Sequence, residues 1–382
     1  MNKRKFLKIV GGGAVFAAVA GGTGIAVIGS RKPKTALLPW QMAGSAYSEP
    51  RRRALSYALL APNPHNRQPW LVDLSLEDKI ILKADKDRML PHTDPFNRQI
   101  TIGLGCFLEL LRMAGAEDGY RMEITEFPEG SNIKQLDERA IAEIVMVKDK
   151  KIQKDLLFAH VLERRSLKKP FDMDKEVESD ILEMLKNVVN ENIISGATNA
   201  PDMVRELRAI TGEAMNIELI TPRTYKESVD LFRIGAREVD ANPDGIAFHG
   251  ALFENLSALG MFTREEALDK KSTTYKGAIS ALMANIDSAM GYVWLVTETN
   301  TRLDQLNAGR DWLRINLAAT GAGVGLHPLS QALQEYGEME QIYARLHSYL
   351  DASNKTVQML GRLGYASATP PVPRWMLEEK II

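Results

Sequence analysis

Residues 61–70 read Ala61-Pro62-Asn63-Pro64-His65-Asn66-Arg67-Gln68-Pro69-Trp70, and the fold around them turns on what this stretch does. Upstream, Arg51–Ala61 reads as a helix that Pro62 stops, because the residue before a proline is biased out of the α region. Downstream, Trp70–Leu76 and Lys79–Ala84 read as paired strands. The quoted residues are therefore a helix-to-strand connection stiffened by prolines. Between those prolines it displays carboxamides, an imidazole and a guanidinium. Asn and Gln each carry donors and acceptors, which suits a ligand edge with alternating polarity. On composition alone an ordinary turn is the more economical reading.

Working outward, Gln99–Ala114 reads as an apolar helix, and Arg121–Glu126 and Ile141–Val147 as further strands. Helices are expected at about 152–164 and 175–190. A long helical middle spans 202–290, with loops near 241–246 and 268–274. Tyr292–Thr297 reads as a strand, and Leu303–Thr320 as an amphipathic helix with Leu303, Leu306, Leu313 and Leu317 on one stripe. Val357–Leu360 looks like a last strand before the tail TPPVPRW. Helices mixed with non-alternating strands predict an α+β layered fold.

Composition bounds the rest. A chain of 382 residues, 45% hydrophobic and 25% charged, has ample material for two or three folded units and is not a disordered polymer. The single cysteine, Cys106, can form no internal disulfide and supplies no multi-cysteine metal site; it reads as a small core residue. The histidines (65, 92, 160, 249, 327, 347) show no short ligand spacing, so no metal is expected and a metal-dependent hydrolase is a distant reading.

The net charge of −1 hides an asymmetry. Lys3, Arg4, Lys5, Lys8, Arg31, Lys32 and Lys34 precede the first acid, Glu49. Without those seven, 41 basic residues face 49 acids, a net −8. An acidic body with no basic stripe argues against nucleic acid as a partner. The basic head MNKRKFLK followed by the apolar run Ile9–Ile28 has the form of an export signal. NKRKFLK resembles a twin-arginine motif with Lys3 in the first arginine position. Ala18-Val19-Ala20 offers a small-x-small cleavage site, and twenty residues would also span a bilayer as an uncleaved anchor. Residues 1–30 are thus expected to be a signal or anchor and 31–48 a linker, with membrane contact only through residues 9–28 if they are retained. Periplasmic release or attachment to the outer face of the inner membrane follows.

Three further stretches could carry chemistry. Glu163-Arg164-Arg165-Ser166-Leu167-Lys168-Lys169-Pro170-Phe171 packs four cations and a hydroxyl together, enough to bind a phosphate; a solvated charge run is its alternative. Gly321-Ala322-Gly323-Val324-Gly325-Leu326-His327-Pro328 follows a helix rather than a strand, so it is no dinucleotide fingerprint. It is first of all a helix C-cap, although glycine also lets a backbone N–H approach a planar ligand closely. Arg362-Leu363-Gly364-Tyr365 and Pro373-Arg374-Trp375 close the chain.

Taken in order, these strings resemble the nitroreductase family of flavoproteins, and within it a tandem branch in which two such halves are fused. APNPHNRQPW resembles the family's Asn-x-Gln-Pro-Trp loop, RRSLKKPF its Arg-Arg-Ser segment, and LGRLGY with PPVPRW its C-terminal strand and arginine tail. The resemblance spans roughly residues 50–380 and is thin over 195–290. It implies two fused α/β/α halves, 49–150 and 151–382, with an antiparallel-rich sheet flanked by helices. The loop lies in the first half and the Arg-Arg-Ser segment opens the second. Together they would complete one site, and one FMN per chain is the expectation.

Carried over residue by residue, Arg164, Arg165, Ser166 and Arg374 would hold the FMN phosphate and ribityl chain. Lys168 would sit at the N1/O2 edge. Asn63, Asn66 and Gln68 would face the flavin from the other half, and the Gly323 N–H would approach N5. The implied activity is transfer of hydride or electrons to a small-molecule acceptor, with a non-enzymatic FMN store as the alternative. The donor is unknown, since an exported enzyme has no access to NAD(P)H and would need a quinol or a partner protein. A fused pair can be a monomer, although a homodimer stays open.

Overall fold

The computed structural model describes residues 32–190 and 192–382, so the leader expected over residues 1–30 lies outside the described residues. The stretch read as a linker is built into the body. Helix α1 (Leu38–Met42) buries Pro39 and Trp40, and the Trp40 indole donates to the Val372 carbonyl at 2.8 Å. So short an element shows no periodicity, and its anchoring partner is hundreds of residues away.

Helix α2 (Pro50–Ala58) starts with proline in its first turn, where a missing N–H costs nothing, and Glu49 caps it by accepting from the Arg51 and Arg52 N–H groups. The connection of residues 61–70 leads into β1 (Trp70–Asp73) and β2 (Lys79–Ala84). The twenty-residue helix α3 (Arg98–Glu117) follows, then β3 (Tyr120–Glu126) and β4 (Ala140–Lys148). These strands form an antiparallel sheet in the order β1-β2-β4-β3.

The helix expected at 152–164 is only a 3-10 turn, Leu156–His160. Beyond it the chain gives its backbone to the second sheet instead: the Leu167 N–H donates to Leu326 and the Asp172 N–H to Tyr365. Helix α4 (Ser179–Asn187) is shorter than the expected 175–190. Strand β5 (Ile194–Thr198) was hidden by Gly196, yet a Cβ there would collide with the Trp294 ring, so packing requires the residue that weakens the strand signal.

The middle segment is mainly helical, as expected: α5 (Pro201–Ile220), α6 (Pro222–Asp230), α7 (Gly235–Ala241), α8 (Ala251–Ala258), α9 (Arg264–Leu268) and α10 (Thr273–Asp287). It also holds a short parallel pair, β6 (Phe232–Ile234) and β7 (Ile246–Phe248). Strand β8 (Gly291–Thr297), helix α11 (Arg302–Gly321), β9 (Gly325–Pro328), α12 (Glu340–Tyr349) and β10 (Thr356–Gly364) complete the fold. The second sheet is antiparallel in the order β5-β8-β10-β9. Both sheets thus place their strands first, second, fourth, third in space.

Helices α3 and α11 cross at two glycines. A Cβ on Gly105 would meet the Leu306 carbonyl, and one on Gly309 the Ile102 carbonyl. This close approach joins both sheets into one apolar core. Cys106 lies inside it with its thiol donating to the Gly309 carbonyl at 3.0 Å, and burial pushes that thiol up to about 12. Of the predicted leucine stripe, Leu306, Leu313 and Leu317 are fully buried while Leu303 is 46% exposed. A second core gathers α5, α10 and α12 behind the second sheet.

Candidate functional site

The loop of residues 63–68 has three non-glycine residues in the left-handed region: His65 (φ 47°), Asn66 (φ 53°) and Gln68 (φ 52°). Such a conformation costs about 1–2 kcal/mol per residue and persists only where the surroundings over-determine it. They do so here through the carboxamides. Asn63 accepts from the Gln68 N–H at 2.7 Å and donates to the Ala61 carbonyl at 3.1 Å. Asn66 donates to the Pro373 carbonyl at 3.0 Å and accepts from Arg374. Gln68 donates to the Pro243 carbonyl at 2.7 Å and accepts from the Trp375 N–H at 2.9 Å, while Lys380 holds its carbonyl at 3.0 Å.

The three amides read from sequence as ligand-facing are therefore committed to bracing the backbone, and Gln68 is fully buried. An amide's composition does not disclose which partner it takes. For Asn66 and Gln68 those partners, residues 243 and 373–375, lie far along the chain, while Asn63 bonds within the loop.

Beside the loop, Asp244 is 3% exposed and receives three guanidiniums. Arg67 reaches it at 3.0 Å, Arg88 at 2.6 Å and Arg233 at 2.8 Å. The Gly245 N–H adds a bond to the Asn66 carbonyl at 3.2 Å. The middle segment is thereby tied to the loop at both its charge and its backbone.

A second arginine cluster has the opposite balance. Arg374 is 2% exposed and donates to the carbonyls of Leu59, Leu60 and Ala61 at 2.8–3.1 Å. Arg164, 3% exposed, donates to the Leu60 carbonyl at 3.1 Å and keeps its buried Nη1 without any partner. Arg165 stacks on Trp40 with its guanidinium carbon 4.7 Å from the ring centre, and Arg374 approaches the same ring at 5.6 Å. Among the described residues none of the three forms an ion pair. Burial, then the Arg165 charge, lowers Arg164 to about 10; burial and its two neighbours push Arg374 well below the usual range. Ser166 sits half-buried in the same segment. Buried like charges without a counter-ion are costly unless an anion completes them.

Lys168 is exposed, and desolvation by the protein around it lowers its ammonium pKa. Its charge acts on His65 and His327. Burial, then Lys168 and Arg67, lowers His65 to about 4, so its ring is neutral at pH 7. His327 accepts at Nδ1 from the Arg362 Nε–H at 2.9 Å. Because a guanidinium can only donate, the His327 ring proton must sit on Nε2. Burial, then Arg362 and Lys168, keeps that ring neutral as well.

Gly323 does not fit its expected role. Its N–H donates to the Thr320 carbonyl at 3.0 Å and it adopts φ 69°, closing the end of α11. A capping N–H has no proton left for a ligand atom. The structure brings Arg164, Arg165, Ser166 and Arg374 together, as the resemblance implied. Asp244 and Trp40 carried no sequence signal, whereas His65 and His327 lay inside quoted stretches without an assigned role.

No protein-family model matches the chain. Two Mycobacterium tuberculosis proteins, each provisionally named an NAD(P)H nitroreductase, align with most of it. The first is 24% identical over 346 residues, covering 86% of this chain and 90% of its own length. The second, designated acg, is 23% identical over 340 residues, with coverages of 86% and 94%. Among solved structures, the FMN-dependent nitroreductase NfnB of Mycobacterium smegmatis in complex with NADPH overlaps 57% of this chain and 92% of its own at 15% identity, with a TM-score of 0.34. A Bacteroides fragilis nitroreductase with bound FMN overlaps 56% and 90% at 16% identity, with a TM-score of 0.31. Scores this low describe a partial overlap. What the comparisons establish is a distant similarity in sequence, along 86% of the chain, to proteins named as NAD(P)H nitroreductases.

Proposed function

We propose that this chain is an FMN-dependent oxidoreductase of the nitroreductase type. In this reading two fused halves, 49–150 and 151–382, complete one flavin site and pass electrons to a small-molecule acceptor, at the periplasmic side of the inner membrane. The repeated strand order of the two sheets supports the fused-halves reading. The observation that carries the flavin reading is the arginine cluster without a counter-ion, with the Arg164 Nη1 buried and unpartnered.

A phosphomonoester fits that donor set: it brings charge to guanidiniums that have none opposite, in a position closed to water. Arg164, Arg165, Ser166 and Arg374 would hold the FMN phosphate. Bound FMN would supply the two-electron chemistry, which the protein's side chains lack. The residues of the chain have narrower tasks. Lys168 keeps a positive charge beside His65 and His327, where it favours negative charge on whatever edge lies against it. His327 presents a fixed Nε2–H, and His65 stays neutral and so adds no second cation. The loop of residues 63–68 forms a rigid wall, held by the bonds to residues 243–245 and 373–380, and a preformed wall orients a ligand at low entropic cost.

The first test is the visible spectrum of the purified protein with the released cofactor quantified. About one FMN per chain is expected, and a colourless protein that refuses added FMN would refute the reading. Arg164→Ala combined with Ser166→Ala should abolish retention. Anaerobic reduction followed by addition of acceptors then separates an enzyme, which is reoxidised in turnover, from a store, which is not.

A further inference from the structure

The described chain is fixed to the body almost from its first residue. Asp240, on α7, accepts from the Lys34 N–H at 2.8 Å through one carboxylate oxygen. Its other oxygen accepts from the Thr35 N–H at 2.9 Å, the Ala36 N–H at 3.0 Å and the Thr35 hydroxyl at 3.1 Å. Although burial would raise it, these donors hold the Asp240 carboxyl below its ordinary range. The Ala36 carbonyl then accepts from the Arg374 N–H at 2.8 Å, and Trp40 is buried four residues later.

This clasp sets a distance. The apolar run ends at Ile28, and Gly29–Pro33 are all that separate it from the clasp. Five fully extended residues reach at most about 18 Å, comparable with the roughly 20 Å radius of gyration of a body this size. If the apolar run stays in a bilayer, the body cannot stand off from it, and the face that bears the clasp meets the headgroups.

That face has the matching chemistry. Val372, whose carbonyl takes the Trp40 indole, is 43% exposed, and Leu162, whose carbonyl takes Arg165 at 2.8 Å, is 45% exposed. Arg165 also bonds to the Thr369 carbonyl at 3.3 Å, so the backbones bearing both exposed apolar residues are held to the Trp40–Arg165 pair. Lys32 and Lys34 are exposed at the clasp, against the exposed acid Glu163. From residue 35 onward the chain is net acidic, so a cationic and apolar patch here runs against its overall charge. Apolar side chains beside lysines are the composition of a surface that rests on anionic lipid.

We propose that the face around the Asp240 clasp, with Leu162 and Val372, docks on a phospholipid bilayer to which the retained leader tethers the chain. This goes beyond the flavin reading and does not depend on it.

The test uses the full-length exported protein, reconstituted into vesicles of phosphatidylethanolamine and phosphatidylglycerol with brominated acyl chains. Single cysteines at Leu162→Cys, Val372→Cys and Leu303→Cys carry a bimane label, while Cys106 is buried and stays unlabelled. Leu303, the second residue of α11, lies about 27 Å along the helix from Gly321, which packs against His160 two residues before Leu162, so it serves as the remote control position. The expected result is an intact leader by mass, with about twofold quenching at 162 and 372 and none at 303. Asp240→Asn should lower the quenching at 372, and Val372→Glu, which disturbs no buried group, should lower it at 162. A leader removed on export, equal quenching at all three positions, or quenching at none overturns the proposal.

Discussion

Two clusters of three arginines flank the same loop, and they differ in one respect. Arg67, Arg88 and Arg233 converge on the Asp244 carboxylate. Arg164, Arg165 and Arg374 converge on carbonyls and an indole ring, with no carboxylate among them. Residue type and burial are alike, so neither tells structure from function. The counter-ion does: one cluster shares a carboxylate supplied by the protein, and the other has none, which is what an anionic ligand would supply.

The comparison breaks most visibly at Asp244. Asp244→Asn would leave three guanidiniums around a neutral amide and should cost about 3–5 kcal/mol, measured by urea unfolding. A loss no larger than a surface substitution would mean that the carboxylate-paired cluster is not structural. Arg164→Met should behave oppositely. It should weaken FMN binding by about 1.5–3 kcal/mol, the worth of a charged hydrogen bond, in a fluorescence titration, while leaving the ligand-free protein as stable as before or more so. Destabilisation of the ligand-free protein would show that Arg164 is already satisfied.

The third expectation is smaller. Inorganic phosphate at about five times its Kd should stabilise the ligand-free protein by about 1 kcal/mol over chloride at equal ionic strength. Arg164→Met should erase that difference in thermal scans. Arg67→Met should not, provided it folds.

The fourth is a pH effect at the loop between the clusters. His65 titrates near 4 in the fold, below the ordinary histidine value. As pH falls from about 6.5 toward 4 the unfolded chain therefore takes up a proton that the folded chain refuses, and stability drops. Asn tolerates the left-handed backbone at this position and carries no charge, so His65→Asn should lose less stability over that window. Parallel pH profiles of melting temperature would refute the assignment.

How much of this could be read from sequence follows from the distances involved. The sheets and long helices were legible because their signals are local: Lys79–Ala84 was placed to the residue, and α11 to within one residue at each end. The four cations in six positions of the Arg-Arg-Ser segment read equally as a solvated charge run. Grouping them with Arg374, some two hundred residues away, rests on the family resemblance and on no local pattern. The bracing partners of Asn66 and Gln68 were hidden for the same reason, being 175–307 positions distant, whereas Asn63 bonds locally to the Ala61 carbonyl and the Gln68 N–H. Gly323 is a plainer case. A glycine after a helix admits two roles, and the chain uses it for the commoner one. Residues 31–48 looked like a linker because a five-residue helix and one clasped carboxylate leave no periodic trace.

The bracing of the loop also bears on when the site can exist during synthesis. The Trp375 N–H and the Lys380 ammonium that hold Gln68 belong to residues made 307 and 312 positions after it. Until those residues emerge from the ribosome, the left-handed backbone at His65, Asn66 and Gln68 is braced only by Asn63 and residues 243–245, and Arg374 has not yet joined its cluster. A nascent chain can therefore assemble its first sheet early but cannot hold a ligand. Truncation before Pro373, which removes Arg374, Trp375 and Lys380 together, should yield chains that fold their first sheet and bind nothing.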